Sequence, residues 1–252
     1  MNRRLLAGFV ALALLLVTAG CLGGTSTVPN DRLDAAPDEP YAWNADVDVH
    51  VTVQENGQFR GVYDMNQSSI TLYRLDGFGS RTPLPVDAVR YQYPNGTVLT
   101  GSELKARGGN VTQNDRITTV TLPSDADRDG KIAFTSDSTP KRFSLPTFVE
   151  GSYEVVLPQD RRVSFPIFGA VRPAGYQTEV VENQLHIRWE NVTSDSVVVQ
   201  FYLQRDLYIF AGIAIVSILI GGSGIVYYRR QIEELRRRRQ DLGLDVEKDD
   251  RN

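Results

Sequence analysis

The chain has 252 residues, and its 27 basic and 31 acidic side chains give a formal net charge of −4 at pH 7. The acidic residues are mostly Asp, and only four of the basic ones are Lys, a composition that keeps a protein hydrated in concentrated salt. We therefore expect a halophilic protein without a nucleic-acid partner. The single cysteine excludes an intramolecular disulfide, so the fold must rely on its hydrophobic core.

Residues 1–21 have the parts of a secretory signal peptide. Two arginines precede the apolar run Leu5–Val17, whose 13 residues are fewer than the ~20 needed to span a bilayer. The run leads into Thr18-Ala19-Gly20-Cys21, which resembles a lipobox, so we predict lipid attachment at Cys21. The alternative is a plain signal peptide with an incidental cysteine. Arg3-Arg4-Leu5-Leu6 also resembles the core of a twin-arginine export signal.

Residues 22–40 are predicted to form a flexible acidic linker, and strand patterns dominate after it. Valines at every second position from Val47 to Val53 predict a strand with one buried and one wet face. Asn56-Gly57 and Asn95-Gly96 predict hairpin turns. Further predicted strands are Phe59–Tyr63, Ser69–Leu75, Val89–Tyr93, Thr97–Thr100, Ile117–Leu122, Lys131–Thr135, Tyr153–Leu157, Gln177–Val181, Gln184–Trp189 and Ser196–Leu203.

Short strands separated by turns indicate a mainly β fold, an antiparallel β-sandwich ectodomain of one or two Ig-like modules. Residues 41–138 are assigned to a β-rich module. Residues 139–206 form either a second β-rich module or a continuation of the same sandwich.

Four Asn-x-Ser/Thr sequons fall in the predicted ectodomain, where glycosylation is permitted. They are Asn66, Asn95, Asn110 and Asn191. We expect some of them to be occupied, with Asn95 and Asn110 favoured because their neighbours are typical of turns.

The stretch Asp125–Ile132 matches the first half of an EF-hand or dockerin-type calcium loop. Asp125, Asp127 and Asp129 supply oxygens at positions 1, 3 and 5, with a glycine at position 6. Position 12 is Ser136, where such loops carry a bidentate Glu, and the predicted flanks are strands. The pattern therefore indicates at most a weak Ca²⁺ site, and an acidic hairpin turn is the favoured interpretation. No other cofactor is expected.

The predicted ectodomain contains no recognisable catalytic motif. It has no Gly-x-Ser-x-Gly elbow, no free cysteine nucleophile and no nucleotide-binding loop. The two histidines, His50 and His186, lie on the polar sides of separate predicted strands and are far apart in sequence, which argues against a metal cluster. We therefore expect a non-enzymatic protein. The alternative is a triad of distant residues, because such residues converge only in the fold.

Residues 207–228 are predicted to form a single transmembrane helix. These 22 residues carry no charge, and as a helix they are roughly 33 Å long, enough to cross the hydrocarbon core. Tyr227 and Tyr228 mark one interface, and basic residues follow directly. Positive residues stay on the cytoplasmic side, so residues 229–252 are assigned to a cytoplasmic tail and the ectodomain to the cell exterior.

Small residues form a stripe along this helix. Ala214, Ser217, Gly221 and Gly224 are spaced three or four apart, so a second helix could approach closely, and we hypothesise homo-oligomerisation through this face. In the tail, the i,i+4 spacing of Glu234 and Arg238 favours a continued helix.

Three stretches carry a family resemblance: Phe148–Pro158 (FVEGSYEVVLP), Tyr202–Leu207 (YLQRDL) and Tyr227–Glu233 (YYRRQIE). Together they resemble an uncharacterised family of haloarchaeal membrane proteins with the same layout of signal or lipobox, β-rich ectodomain and C-terminal transmembrane helix. The resemblance covers most of the chain after Tyr41. It implies a halophilic origin and single-pass topology, and it implies no activity and no catalytic residues.

The sequence as a whole favours a membrane-anchored cell-surface protein that is a binding or structural accessory module of the halophilic archaeal envelope. The expected partners are the lipid bilayer and an envelope protein or glycan. The alternative is a surface hydrolase with a site assembled from scattered polar residues.

Overall fold

The computed structural model describes residues 24–126 and 129–241. This part of the chain is mainly β. Its strands are β1 (Ser26–Thr27), β2 (Val49–Val53), β3 (Gln58–Met65), β4 (Ser69–Leu75), β5 (Arg81–Pro83), β6 (Asp87–Gln92), β7 (Val98–Thr100), β8 (Asn110–Gln113), β9 (Thr118–Thr121), β10 (Gly130–Asp137), β11 (Arg142–Pro146), β12 (Gly151–Val156), β13 (Arg161–Arg162), β14 (Ala170–Arg172), β15 (Gln177–Val181), β16 (Gln184–Val192), β17 (Ser196–Gln200) and β18 (Tyr202–Leu203). Its helices are α1 (Asn30–Leu33), α2 (Gly101–Ala106) and α3 (Gln204–Asp241).

The largest sheet has eight strands in the order β15-β16-β12-β2-β3-β10-β6-β7. Within it only β2 and β12 run parallel. A five-stranded sheet has the order β1-β8-β9-β4-β5, a three-stranded sheet has the order β11-β17-β14, and β13 pairs with β18. The parallel pair joins residues 49–52 to residues 153–156, so both predicted parts of the ectodomain contribute to one sheet. The described residues up to Tyr202 form one compact unit.

The alternation in β2 decides which face of the eight-stranded sheet is buried. Val49, Val51 and Val53 point into the main core, and the residues between them lie on the opposite, outer face. Large aromatic rings fill this core, and the rings of Tyr63 and Phe134 stack with centroids 5.4 Å apart. Each fully buried side chain of this size stabilises the fold by about 1.5–3 kcal/mol.

The predicted fold class is confirmed, and two strands, Ser69–Leu75 and Gln177–Val181, are confirmed to the residue. The two predicted Asn-Gly turns join β2 to β3 and β6 to β7. Gly57 and Gly96 have φ angles of 83° and 85°, a conformation that favours glycine and explains why these turns need it.

The helix α2 was not predicted, although the sequence carries a signal for it. Its N-cap Thr100 accepts a hydrogen bond from the backbone of Glu103, whose side chain accepts one from the backbone of Thr100. This is a capping box, and its Thr-x-x-Glu spacing is visible in the sequence.

The stretch predicted as a flexible acidic linker differs from the expectation in its described part. Val28 is 3% exposed and Leu33 is fully buried, so both belong to the main core. Arg32 also holds the segment, because its Nε lies 2.6 Å from Asp87 Oδ1. The expectation rested on the acidic and proline-containing composition of the segment, and it overlooked these two apolar side chains, which anchor the segment to the core.

The C-terminal unit is the helix α3. In the described part of the chain it is the one helix long and apolar enough to cross a membrane, and it contains the predicted span 207–228. It continues into the tail, where Arg238 Nη2 donates to Glu234 Oε1 over 2.7 Å, as the spacing predicted. Residues 242–252 lie outside the described residues.

Candidate functional site

The two histidines converge on one carboxylate, although they are 136 positions apart. The parallel pairing of β2 with β12 sets His50 beside Glu154. The antiparallel pairing of β12 with β16 sets Arg188 opposite Glu154 and places His186 two pairs further along, on the same face. All four residues share the outer face of the eight-stranded sheet. Sequence separation gave no sign of this contact, because it depends on the order of strands in the sheet.

Four short contacts connect this group, which we call the histidine–glutamate cluster. Glu154 Oε2 lies 3.0 Å from His50 Nδ1, and Glu154 Oε1 lies 3.0 Å from both His186 Nδ1 and Arg188 Nε. On the far side of the first imidazole, His50 Nε2 lies 3.2 Å from Thr52 Oγ1. Thr52, His50, Glu154, His186 and Arg188 are thus joined into one polar line across three strands.

Burial and charge act against each other on Glu154, whose side chain is 9% exposed. Burial alone would raise the pKa of this carboxyl group, but the hydrogen bond from His186 and the neighbouring positive charges outweigh burial, so the pKa of Glu154 is lowered. The group is therefore ionised at neutral pH.

At His50, in contrast to Glu154, burial outweighs the neighbouring charge. It lowers the pKa of the imidazole, and the attraction of Glu154 only partly offsets the effect. The imidazole is therefore neutral at pH 7 and carries one proton. An ionised carboxylate can only accept, so this proton lies on Nδ1, and Nε2 accepts from the Thr52 hydroxyl.

A hydroxyl, a neutral imidazole and an ionised carboxylate joined in this order form the atom-to-atom arrangement of a hydrolase triad. Thr52 also lines a surface cleft of 480 Å³, together with Arg60 and Gln184. Arg60 lies directly opposite Thr52 in the sheet and is held by Glu39 and by the carbonyl of Pro40. The arrangement can polarise the Thr52 hydroxyl beside a cleft open to a ligand.

The predicted calcium residues are only partly within the described residues, since Asp127 lies outside them. Asp125 accepts a hydrogen bond from the Tyr93 hydroxyl at 3.3 Å, and its other oxygen lies 3.8 Å from Arg107. Asp129 is exposed in the turn before β10. Within residues 24–126 and 129–241, no group of three or more His, Cys, Asp or Glu side chains is arranged to hold a metal ion.

The modification sites are exposed where they are described. The asparagines of all four sequons lie on the surface, and Asn95 holds its turn by accepting from the backbone of Thr97. Asn110 begins β8 and Asn191 lies in β16, so these two are on strands. Cys21 lies outside the described residues.

The stripe of small residues lies on α3. Ser217 donates its hydroxyl to the carbonyl of Ile213 in the same helix. A side chain added at Gly221 or Gly224 would meet nothing within 4 Å, so this face of the helix has room for a second helix. Self-association through this face stays a prediction.

One edge of the eight-stranded sheet is a second surface of interest. All five residues of β15 are exposed, including Val180 at 52% and Val181 at 42%. β15 stands at the end of the sheet, so one row of its backbone N–H and C=O groups faces no further strand among residues 24–126 and 129–241. The opposite edge, β7, runs directly into the helix α2, which contacts it.

Comparisons with known proteins give one family and one distant structural likeness. No protein with a curated description matches the chain. Among solved structures it is similar to a mutant M1 zinc metallopeptidase from Deinococcus radiodurans bound to the substrate Tyr-Ser-Ala, with 12% identity and a TM-score of 0.32. The likeness covers 61% of this chain and 41% of that protein, and at this TM-score it carries no argument. Residues 45–247 match the model of DUF5803, a family of unknown function, and the chain therefore belongs to the DUF5803 family.

Proposed function

We propose that this protein is a membrane-anchored cell-surface protein whose β-rich part is a non-enzymatic accessory module of a halophilic archaeal envelope. The observation that carries the proposal is the helix α3, which is long and apolar enough to cross a membrane. The helix begins at Gln204, directly after β18.

In this proposal the strands are extracellular, and Arg229 and Arg230 mark the cytoplasmic end of the membrane-spanning part of the helix. Lipidation of Cys21 adds a second anchor, and the exposed sequons carry glycans. Protease added to intact cells should remove the β-rich part and leave a membrane fragment that begins near Gln204. If the β-rich part is fully protected in intact cells and cleaved only after lysis, the orientation is the opposite of the one proposed.

The accessory role needs a docking surface, and β15 is the best candidate. We propose that an extended segment of a neighbouring envelope protein adds a strand to this edge. Main-chain hydrogen bonds would provide affinity, and a basic residue on the segment would lie opposite Glu179, since opposite charges in directly opposed positions stabilise a strand pair.

Val180→Lys tests this docking surface, because a lysine on an edge strand blocks strand addition. The matched control is Val98→Lys on β7, the opposite edge of the same sheet, where the valine is 41% exposed. In cross-linked native membranes, a stoichiometric envelope protein should co-purify with the wild type and with Val98→Lys but not with Val180→Lys. Equal recovery with both variants would exclude β15, and recovery of none from the wild type would contradict the accessory role.

A second candidate, a surface hydrolase, is favoured by the line from Thr52 through His50 to Glu154. In this reaction Thr52 Oγ1 attacks the carbonyl carbon of an ester or amide, and its proton passes to His50 Nε2. The protonated imidazole gives that proton to the departing alcohol or amine. Water then attacks the acyl-threonine by the same proton route and releases the acid and the free hydroxyl.

A fluorophosphonate probe distinguishes the two candidates, because it phosphonylates activated hydroxyls with loss of fluoride. A hydrolase should be labelled at Thr52 in the wild type and unlabelled in His50→Gln, with the exposed Thr71 of β4 as an internal control. If the folded wild type is not labelled at Thr52, the hydrolase function is excluded and the accessory role remains.

A further inference from the structure

A cavity of 380 Å³ lies between the β4–β5 hairpin, strand β11 and the end of β10. Its inner wall is apolar and includes the buried side chains of Phe59, Phe143 and Leu145. Its rim carries hydroxyl groups, among them Ser138 and Ser196. The combination of an apolar floor and a polar rim is typical of sites for small organic ligands.

One charged side chain in the wall of this cavity, Arg74, lacks a counterion. In β4 it follows Ile70 and Leu72 at the same alternating position, so it points toward the core side of its sheet, where another apolar residue would be expected. Its Nη2 is buried and has no hydrogen-bond partner, and among the described residues it forms no ion pair. A guanidinium group in this setting is costly unless an acceptor reaches it.

The electrostatic surroundings agree with this geometry. Burial lowers the pKa of Arg74, and the carboxylate of Asp137 opposes this effect. Arginine still remains charged at any physiological pH. The cavity therefore holds a partly desolvated positive charge next to an apolar surface.

We propose that this cavity is a binding site for a small organic anion, a single carboxylate attached to an apolar group. The apolar group occupies the floor at Phe59 and Phe143, and the carboxylate accepts two parallel hydrogen bonds from the Arg74 guanidinium. Asp76 and Asp137 also line the cavity and outnumber the one other cation in its lining, the exposed Arg142, so a second negative charge on the ligand is disfavoured. This site is separate from the histidine–glutamate cluster and from β15, and the proposal does not depend on either.

The test uses the full chain in detergent at constant high ionic strength, with hexanoate as the probe. Hexanoate should raise the unfolding temperature of the wild type in a saturable manner. Acetate, which lacks the apolar group, and hexylammonium, which has the opposite charge, should not. A rise of equal size with hexylammonium would overturn the proposal, because it would show that the apolar floor alone binds.

Arg74→Met keeps the length of the side chain and removes the charge. This variant should weaken hexanoate binding by about tenfold or more, since a charge-assisted pair is lost. Without hexanoate it should unfold at the same or a higher temperature, because an unpaired buried charge is replaced by an apolar group. The matched control is Arg116→Met, where the arginine is 77% exposed and outside the cavity.

The two variants separate the outcomes. Loss of the hexanoate effect in Arg74→Met with retention in Arg116→Met supports the site. An equal hexanoate effect in wild type and Arg74→Met overturns it. If Arg74→Met unfolds well below the wild type without ligand, Arg74 already has a structural partner and the site is also rejected.

Discussion

Two neighbouring regions of the outer face of the eight-stranded sheet differ in polarity, although they belong to the same sheet. Over β3, β10 and β6 it includes a second small apolar core, formed by Tyr41, Val62, Ala88 and Ala133. Over β2, β12 and β16 it carries the histidine–glutamate cluster. The border runs between two directly opposed residues, His50 and Val62.

The two regions differ in what joins their side chains. Ala35 and Trp43 belong to the segment that precedes β2, and they pack against the small apolar core. The centre of the histidine–glutamate cluster is buried as well, with His50 9% and Glu154 7% exposed, but its polar side chains bond to one another. Both regions are therefore largely removed from water, one held by apolar packing and the other by hydrogen bonds and ion pairs.

Among substitutions in these two regions, removing the shared carboxylate should reduce the free energy of unfolding most. Glu154→Ala leaves two histidines and an arginine without their common acceptor, and it should reduce the free energy of unfolding by about 3 kcal/mol. Glu190→Ala, at an exposed position of β16, should change it by under about 0.5 kcal/mol. Urea denaturation of the full chain in detergent measures both, and equal values would show that the cluster contributes nothing special.

The small apolar core should lose stability when a single hydroxyl group is removed. The Tyr41 hydroxyl donates to the carbonyl of Ala88 at 2.6 Å and lies 3.1 Å from Thr135 Oγ1. Tyr41→Phe leaves both buried groups without this partner and should cost about 1.5 kcal/mol in the free energy of unfolding. Tyr176→Phe, at a tyrosine that is 39% exposed, is the control and should be nearly silent in the same titration.

Acidification should destabilise the histidine–glutamate cluster. The pKa of His50 is lowered in the folded state, so the unfolded chain binds more protons as the pH falls below the ordinary histidine value near 6.5, and stability is lost there. The lowered pKa of Glu154 adds a further loss below about pH 4.5 with the same sign.

The His50→Gln variant isolates the first part of this pH effect. Glutamine keeps a donor toward Glu154 but does not titrate. Between pH 7 and pH 5 the wild type should lose on the order of 1 kcal/mol more than this variant. Unfolding curves at the two pH values give the difference, and parallel losses in both proteins would assign the pH dependence to other groups.

Substitution at the exposed end of the cluster should change the free energy of unfolding least. The Arg188 side chain is 51% exposed, so its ion pair with Glu154 is screened by water and salt. Arg188→Gln should cost under about 1 kcal/mol at low salt and almost nothing at 1 M salt. A loss as large as that of Glu154→Ala, measured at both salt concentrations, would mean that Arg188 and not the histidines holds the carboxylate.

Local patterns made the strands predictable, and long-range pairing made the site unpredictable. The alternating valines of β2 and the Asn-Gly turns are signals within a few residues, and the structure follows them. That His50 shares a carboxylate with His186 depends on β12 inserting between β2 and β16, which no local pattern encodes. The cavity at Arg74 was unpredictable for a similar reason: alternation in β4 turns the side chain toward the core, but the cavity beside it is formed with β10 and β11.

The parallel contact between β2 and β12 has a consequence for how the chain acquires its fold. His50 and Glu154 are 104 positions apart, so this contact closes a long loop and is entropically expensive to form early. A ribosome delivers β2 long before β12, and until β12 arrives β2 has a partner on one side only, the hairpin strand β3. We therefore expect synthesis to pass through a stage with an open, valine-rich strand edge, which closes only when three-fifths of the chain has been made.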